Sequence, residues 1–235
     1  HRTIVHNEGR ITGNSDTSTG TIYYTLDGTD PREAFTGNAT GTLYTNTGST
    51  SQILVNENSP CMLKIPTNSN DEIGWKSIGF DESSWIDGII GVGYETSGND
   101  YAQLINLDIS SMKGLNQSLY IRIPFNVTDK TLISELELNM KYDDAFVAYI
   151  NGIEVARSAH APDPVFWNSG ATTYHPDNIA INFENFIANS GITSLQNGNN
   201  ILAIHLLNSG LESSDILCVP QLVATLENLD NGITI

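Results

Sequence analysis

The sequence predicts an all-β protein, a jelly-roll or β-sandwich domain with a small β-unit in front of it. Roughly ten short runs of alternating apolar and polar residues recur between turn residues along the 235-residue chain. Gly, Asn, Ser and Thr are abundant while charged residues make up only 16%, a composition of short strands and turns rather than long helices. No helix-period segment is long enough to serve as a crossover between parallel strands.

Taken in order, residues 1–50 form the small unit. Thr3 to His6 suggests a short strand, and Thr21 to Leu26 alternates before two turn signals, Asp27-Gly28 and Asp30-Pro31. From residue 51 to 235 a larger unit follows. Its opening ILVNENSPCMLKIP reads as strand, turn, strand. Trp75, Phe80, Trp85 and Tyr94 then stand among turn residues, where rings commonly plug the end of a sandwich, and core packing is favoured for Phe80 and Trp85. SLYIRIPFNV sets Leu119, Ile121, Ile123 and Phe125 on one face and Tyr120 and Arg122 on the other. Leu136, Leu138 and Met140 mark another strand, and AFVAYINGIEVARS is a hairpin turning at Asn151-Gly152 in the composition a two-residue type I′ turn demands. Residues 158–200 are looser, with one helical turn expected around Glu184 to Ala188, before two closing strands, NNILAIHLLN and DILCVPQLVATL.

The net charge of −17 repels phosphate backbones, so nucleic acid is excluded as a partner, and sulfated or uronic polysaccharides are disfavoured unless a cation bridges them. Such a surface serves solubility, or it supplies acidic loops for a divalent cation. No run of about 18 apolar residues exists, so no membrane insertion is expected. The chain begins at His1, as a piece of a longer protein would. Cys61 and Cys218 are the only cysteines, too far apart in sequence for a zinc or redox motif; one disulfide or two buried thiols both fit.

The stretch YTLDGTDPRE resembles the signature of the small β-sandwich at the C-terminus of chitobiase and β-hexosaminidase enzymes. GFDESSW with GVGYE, LYIRIPF, DDAFVAYINGIEVAR and NNILAIHLLNSGLESSDILCVPQL together resemble a galactose-binding-like jelly-roll domain of large secreted bacterial proteins, over roughly residues 53–227. The order of the two units matches that resemblance, which implies the fold well and the function poorly. It also implies that the terminal strands lie side by side, which would bring Cys61 near Cys218. Asp143-Asp144 is similar to the paired aspartates that hold calcium in the protective-antigen and flocculin type of glycan-binding domain, although Ala145 stands where a Gly usually follows.

Two adjacent carboxylates repel, so burial demands a cation or donors. Asp143 and Asp144 are therefore candidate calcium ligands, with sugar hydroxyls, or loop amides at a strand end, as the other readings. Trp167, in the polar loop APDPVFWNSGATTYHPDN, is the candidate stacking ring for a pyranose, assisted by Tyr174, His175, Arg157, His160 and Asn168. The alternative is a loop that buries its own aromatics. His205 reads as a satisfied strand histidine, and no histidine has a zinc-ligand partner at short spacing. No nucleophile elbow or phosphate loop is present, and no carboxylate pair for glycoside hydrolysis stands out. Asn38, Asn116 and Asn126 match glycosylation acceptors and are read as chance in a bacterial protein.

The expected function is a non-catalytic carbohydrate-binding module of a secreted or cell-surface bacterial protein. It would be monomeric within a larger multidomain chain, bind a polysaccharide or other glycan, and use calcium as its one candidate cofactor. A structural or adhesive spacer is the alternative, and an enzyme with an unrecognised carboxylate pair is a third.

Overall fold

The computed structural model describes residues 49–227 apart from Asn99, and before them residues 3–5, 11–13, 22–24, 34, 36, 38 and 42–44. The chain divides into two units, residues 1–50 with 227–235 and residues 51–226. In the smaller one, β1 (Thr3–Val5) pairs antiparallel with β2 (Ile11–Gly13), and β3 (Ile22–Tyr24) with β4 (Thr42–Tyr44). The turn signals Asp27-Gly28 and Asp30-Pro31 lie outside the described residues.

The larger unit is a β-sandwich. Its strands are β5 (Ser49–Val55), β6 (Pro60–Lys64), β7 (Ile86–Ile89), β8 (Val92–Glu95), β9 (Leu107–Asp108), β10 (Ser118–Val127), β11 (Ile133–Asp143), β12 (Ala145–Ile150), β13 (Ile153–Arg157), β14 (Glu184–Ile187), β15 (Gly198–Leu207) and β16 (Asp215–Glu227). The first sheet runs β13-β12-β15-β10-β6-β7 and is antiparallel throughout. The second runs β14-β11-β16-β8-β9, with β5 also on β16; β14-β11, β11-β16 and β16-β8 pair antiparallel, and β8-β9 in parallel. Among the described residues no helix is long and apolar enough to cross a membrane.

The inter-sheet core follows from strand alternation. Leu119, Ile121, Ile123 and Phe125 from β10 meet Leu136, Leu138 and Met140 from β11, joined by Ile204, Leu206 and Leu222 from the long closing strands. The hairpin turns where its composition requires: Asn151 takes φ 51° and Gly152 φ 93°, between the paired Ile150 and Ile153.

Two corners carry the chain directly from one sheet to the other. Asp144 alone separates β11 from β12, and only Ile90 and Gly91 separate β7 from β8. Gly91 has φ 100°, and a Cβ there would stand 2.5 Å from the Leu104 carbonyl oxygen, so both conformation and space require glycine.

Two expectations are corrected. Residues 184–187 form an edge strand on β11 instead of a helical turn, because alternation puts Phe186 against the core; the short helix α1 lies earlier, at Asp177–Ala180. The tryptophans Trp75 and Trp85 cover a sheet face, not the end of the sandwich. With Tyr120, Val147, Tyr149, Ile201 and Ala203 they form a second apolar layer on the outer side of the first sheet. Trp75 stacks on Tyr120 with ring centroids 4.1 Å apart. That layer is why β10 is buried on both faces.

Candidate functional site

The looser stretch after Arg157 is a loop pinned at intervals to the sandwich. The Ala171 N–H donates to the Asn208 carbonyl (2.9 Å) and the Ser118 hydroxyl to the Ser169 carbonyl (2.8 Å), while within the loop the Thr172 N–H donates to the His160 carbonyl and the Ser169 N–H to the Phe166 carbonyl (both 2.9 Å). Its far end meets the Asp144 corner. Asp144 Oδ1 accepts from the His175 N–H and Oδ2 from the Ser209 N–H, both at 2.7 Å, so one carboxylate holds two loops.

The six ligand-binding candidates distribute along this loop rather than around one cleft. Tyr174 is 68% exposed, and Asn168 is exposed. His175 is buried; its ring stacks on Tyr142 at 4.5 Å, with Nδ1 donating to the Tyr142 carbonyl (2.8 Å) and Nε2 2.9 Å from Glu184 Oε1. His160 stands edge-on to it, ring centroids 6.2 Å apart. Arg157 is engaged elsewhere. Its Nε and Nη2 each lie 2.9 Å from a Glu154 carboxylate oxygen, and Nη1 donates to the Pro162 carbonyl.

Trp167 is turned inward. Its ring packs on the outer aromatic layer, its N–H donates to Glu72 Oε1, and its carbonyl accepts from Asn116 Nδ2 (3.2 Å). The freely exposed indole expected from sequence is therefore not what this loop presents, because the outer layer gives the ring an apolar seat. The ring displayed at this point is its neighbour Phe166, 53% exposed. No hydrogen bond or ring contact among the described residues joins Trp167 or Arg157 to His160, Tyr174 or His175.

At the corner itself Asp143 and Asp144 are both buried, 2% and 3% exposed, and the peptide between them is cis. Burial first, and then the Asp144 carboxylate, push Asp143 up to about 10; Asp215 and Asp177 add to the effect. Tyr101 is fully buried beside this group, and its hydroxyl has no partner among the described residues. Burial and then Asp143 raise its phenol also. Asp143 thus sits where a proton or a positive charge is needed. Calcium takes six to eight oxygen ligands. Among the described residues no three His, Cys, Asp or Glu side chains converge to hold a metal, so this pair alone does not make a calcium cage. A separate open hollow of about 320 Å³ is lined by Glu95, Gly98, Ala102, Ile105, Asn106 and Asp108.

Sequence reading gave no site role to Glu72, Asn116 or Glu184, each of which bonds a partner far away in the chain: Trp167, Pro66 and Tyr142. Phe166 had a signal, since it is Trp167's immediate neighbour.

Comparison with known proteins adds the following. A family model described as "Fn3 associated" matches residues 10–73, from the smaller unit into the first strands of the sandwich. No curated protein matches. Among solved structures, a calcium-binding mutant of Bacteroides uniformis β-glucuronidase 2 is similar at 14% identity and TM-score 0.45, over 78% of this chain and 19% of that one. A β-glucuronidase from uncultured Clostridium sp. aligns at 13% identity and TM-score 0.44, over 78% and 30%. The Ruminococcus gnavus β-glucuronidase in complex with D-glucaro 1,5-lactone aligns at 10% identity and TM-score 0.45, over 79% and 31%. The chain spans less than a third of each of these proteins, and at such identity the likeness goes no further than a β-sandwich.

Proposed function

We propose that the sandwich is a non-catalytic carbohydrate-binding module of the galactose-binding-like kind, carried by a secreted or cell-surface protein of several domains. The observation that carries this reading is the pinned loop of residues 158–176, which holds the rings of Phe166 and Tyr174 out to solvent. Rings fixed in advance lose little freedom on stacking against a sugar, and the Asn168 amide, exposed on the same loop, can bond hydroxyls. With a net charge of −17, the glycan class that fits is neutral.

Calcium at Asp143 and Asp144 belongs to the same proposal. Its support is the buried, like-charged pair, and the further oxygens it needs would come from backbone carbonyls or water. The spacer reading has its own support: the inward Trp167 and the sealed outer face of the first sheet remove the largest ring from the surface.

A glycan array of the purified chain, with and without chelator, followed by affinity electrophoresis of Phe166→Ala and Tyr174→Ala, tests the reading. Retention on a neutral polysaccharide, lost in the variants while the melting temperature moves by less than about 2 °C, is the expected result. A parent chain that binds no glycan under either condition leaves the spacer.

A further inference from the structure

We propose that Cys61 and Cys218 form a disulfide across the two sheets, made as the sandwich closes and protected from exchange afterwards. Both cysteines are free in the structure, and both are buried. They sit on opposite sheets at one place, the corner formed by Ile90 and Gly91. Before the corner, Gly88 of β7 pairs with Cys61 of β6; after it, Val92 of β8 pairs with Cys218 of β16. The chain crosses from one sheet to the other within those two residues, so the strands bearing the cysteines are held together there. Both side chains point into the same core cluster, and the thiols are electrostatic neighbours, since Cys61 adds to the effect of burial on Cys218.

The chemistry is thiol–disulfide exchange with a small-molecule disulfide such as oxidised glutathione. The thiolate of one cysteine attacks a glutathione sulfur, forming a mixed disulfide and expelling one glutathione thiolate. The second cysteine's thiolate then attacks the protein sulfur of that mixed disulfide, forming the Cys61–Cys218 bond and expelling the other. Two cysteine sulfurs are oxidised, one glutathione disulfide is reduced to two thiols, and the two cysteine protons end on the released thiolates.

Timing follows from burial. In the folded chain burial, with help from Asp87, pushes the Cys61 thiol up to about 12, and burial pushes Cys218 higher still. Neither supplies thiolate at neutral pH, and neither can be reached by glutathione. Exchange therefore belongs to the folding chain, and the finished bridge, equally buried, resists reduction. It closes a loop spanning most of the sandwich, so its restraint on the unfolded chain is large.

The test refolds the full chain from urea into a glutathione redox buffer or into excess reductant. After oxidative refolding we expect no thiol titratable in denaturant, a monomer on a non-reducing gel, a tryptic peptide pair joined through Cys61 and Cys218, and a melting temperature roughly 10 °C above the reduced form. Cys218→Ala should melt at one temperature whichever buffer it was refolded in. Two free thiols per chain after oxidative refolding, stable glutathione adducts, or a bridge between chains would overturn the proposal.

Discussion

Two buried charged side chains, Arg122 and Asp143, are 1% and 2% exposed and are treated in opposite ways. Arg122 lies on the outer side of the first sheet, and the loop of residues 65–85 supplies everything it needs. Glu82 pairs with its Nε, the carbonyls of Trp75 and Ser77 accept from Nη1, and the Phe80 ring lies 5.3 Å from the guanidinium. Asp143 lies at a corner among Asp144, Asp177 and Asp215. The first charge organises the loop that covers it. The second is held by its strand's pairing with Leu217, while its own charge is opposed. Burial of a charge in this fold is therefore not evidence of a stabilising ion pair, and the sign of the effect differs between the two sites.

The comparison breaks most visibly at Arg122. Arg122→Met leaves Glu82 and two carbonyls without their donor and should cost about 3–5 kcal/mol in urea unfolding. Tryptophan fluorescence should shift to the red as Trp75 and Trp85 gain water. A variant as stable as the parent would mean that aromatic packing alone holds the loop. In the same layer, Trp167→Ala should cost about 2 kcal/mol, well beyond a surface change, because the ring has an apolar seat.

At Asp143 the expected sign is reversed. A carboxyl raised to about 10 keeps its proton when folded and releases it above about pH 4 when unfolded. Stability then falls as pH climbs from about 4 to about 10. Asp143→Asn should remove that slope and stabilise the chain by about 1–2 kcal/mol at pH 8, read by melting across pH. A loss of stability instead, together with loss of a chelator-sensitive shift seen in the parent, would place a cation at the pair.

The smallest effect sharpens the contrast with a satisfied carboxylate. Burial opposes ionisation of Asp71, but Lys64 at 2.6 Å and the N–H and hydroxyl of Thr67 prevail and hold it down to about 2. Its contribution is present above about pH 4 and disappears as pH falls towards 2. Since Lys64 is a third exposed, Asp71→Asn should cost only about 1 kcal/mol at pH 7, and parent and variant melting curves should converge near pH 2.

What the sequence made legible was whatever depends on neighbours along the chain. β10, β11 and the Asn151-Gly152 hairpin follow from alternation and turn chemistry, and His205 is the strand histidine expected, its Nε2 2.8 Å from Ser118 Oγ. What stayed hidden depends on a second layer. Trp167 looks exposed in its own loop, since no strand face directs it. Its seat is the outer layer, whose members Trp75, Tyr149 and Ile201 are distant from it in sequence. For the same reason Asp144 showed as a candidate ligand, whereas its two donors, the amides of His175 and Ser209, arrive from loops of no regular pattern.

The pairing of β5 with β16 has a mechanical consequence. The first and last strands of the sandwich lie side by side in one sheet. Tension applied to the chain on either side of the sandwich reaches the backbone hydrogen bonds of that one strand pair before it reaches the core. The rest of the unit is bypassed, like a bead tied on at its neck. Stretching would strip β5 from β16 ahead of the strands that carry the core. Single-molecule pulling from residues flanking the sandwich would record that early event as a short extension ahead of the main unfolding step.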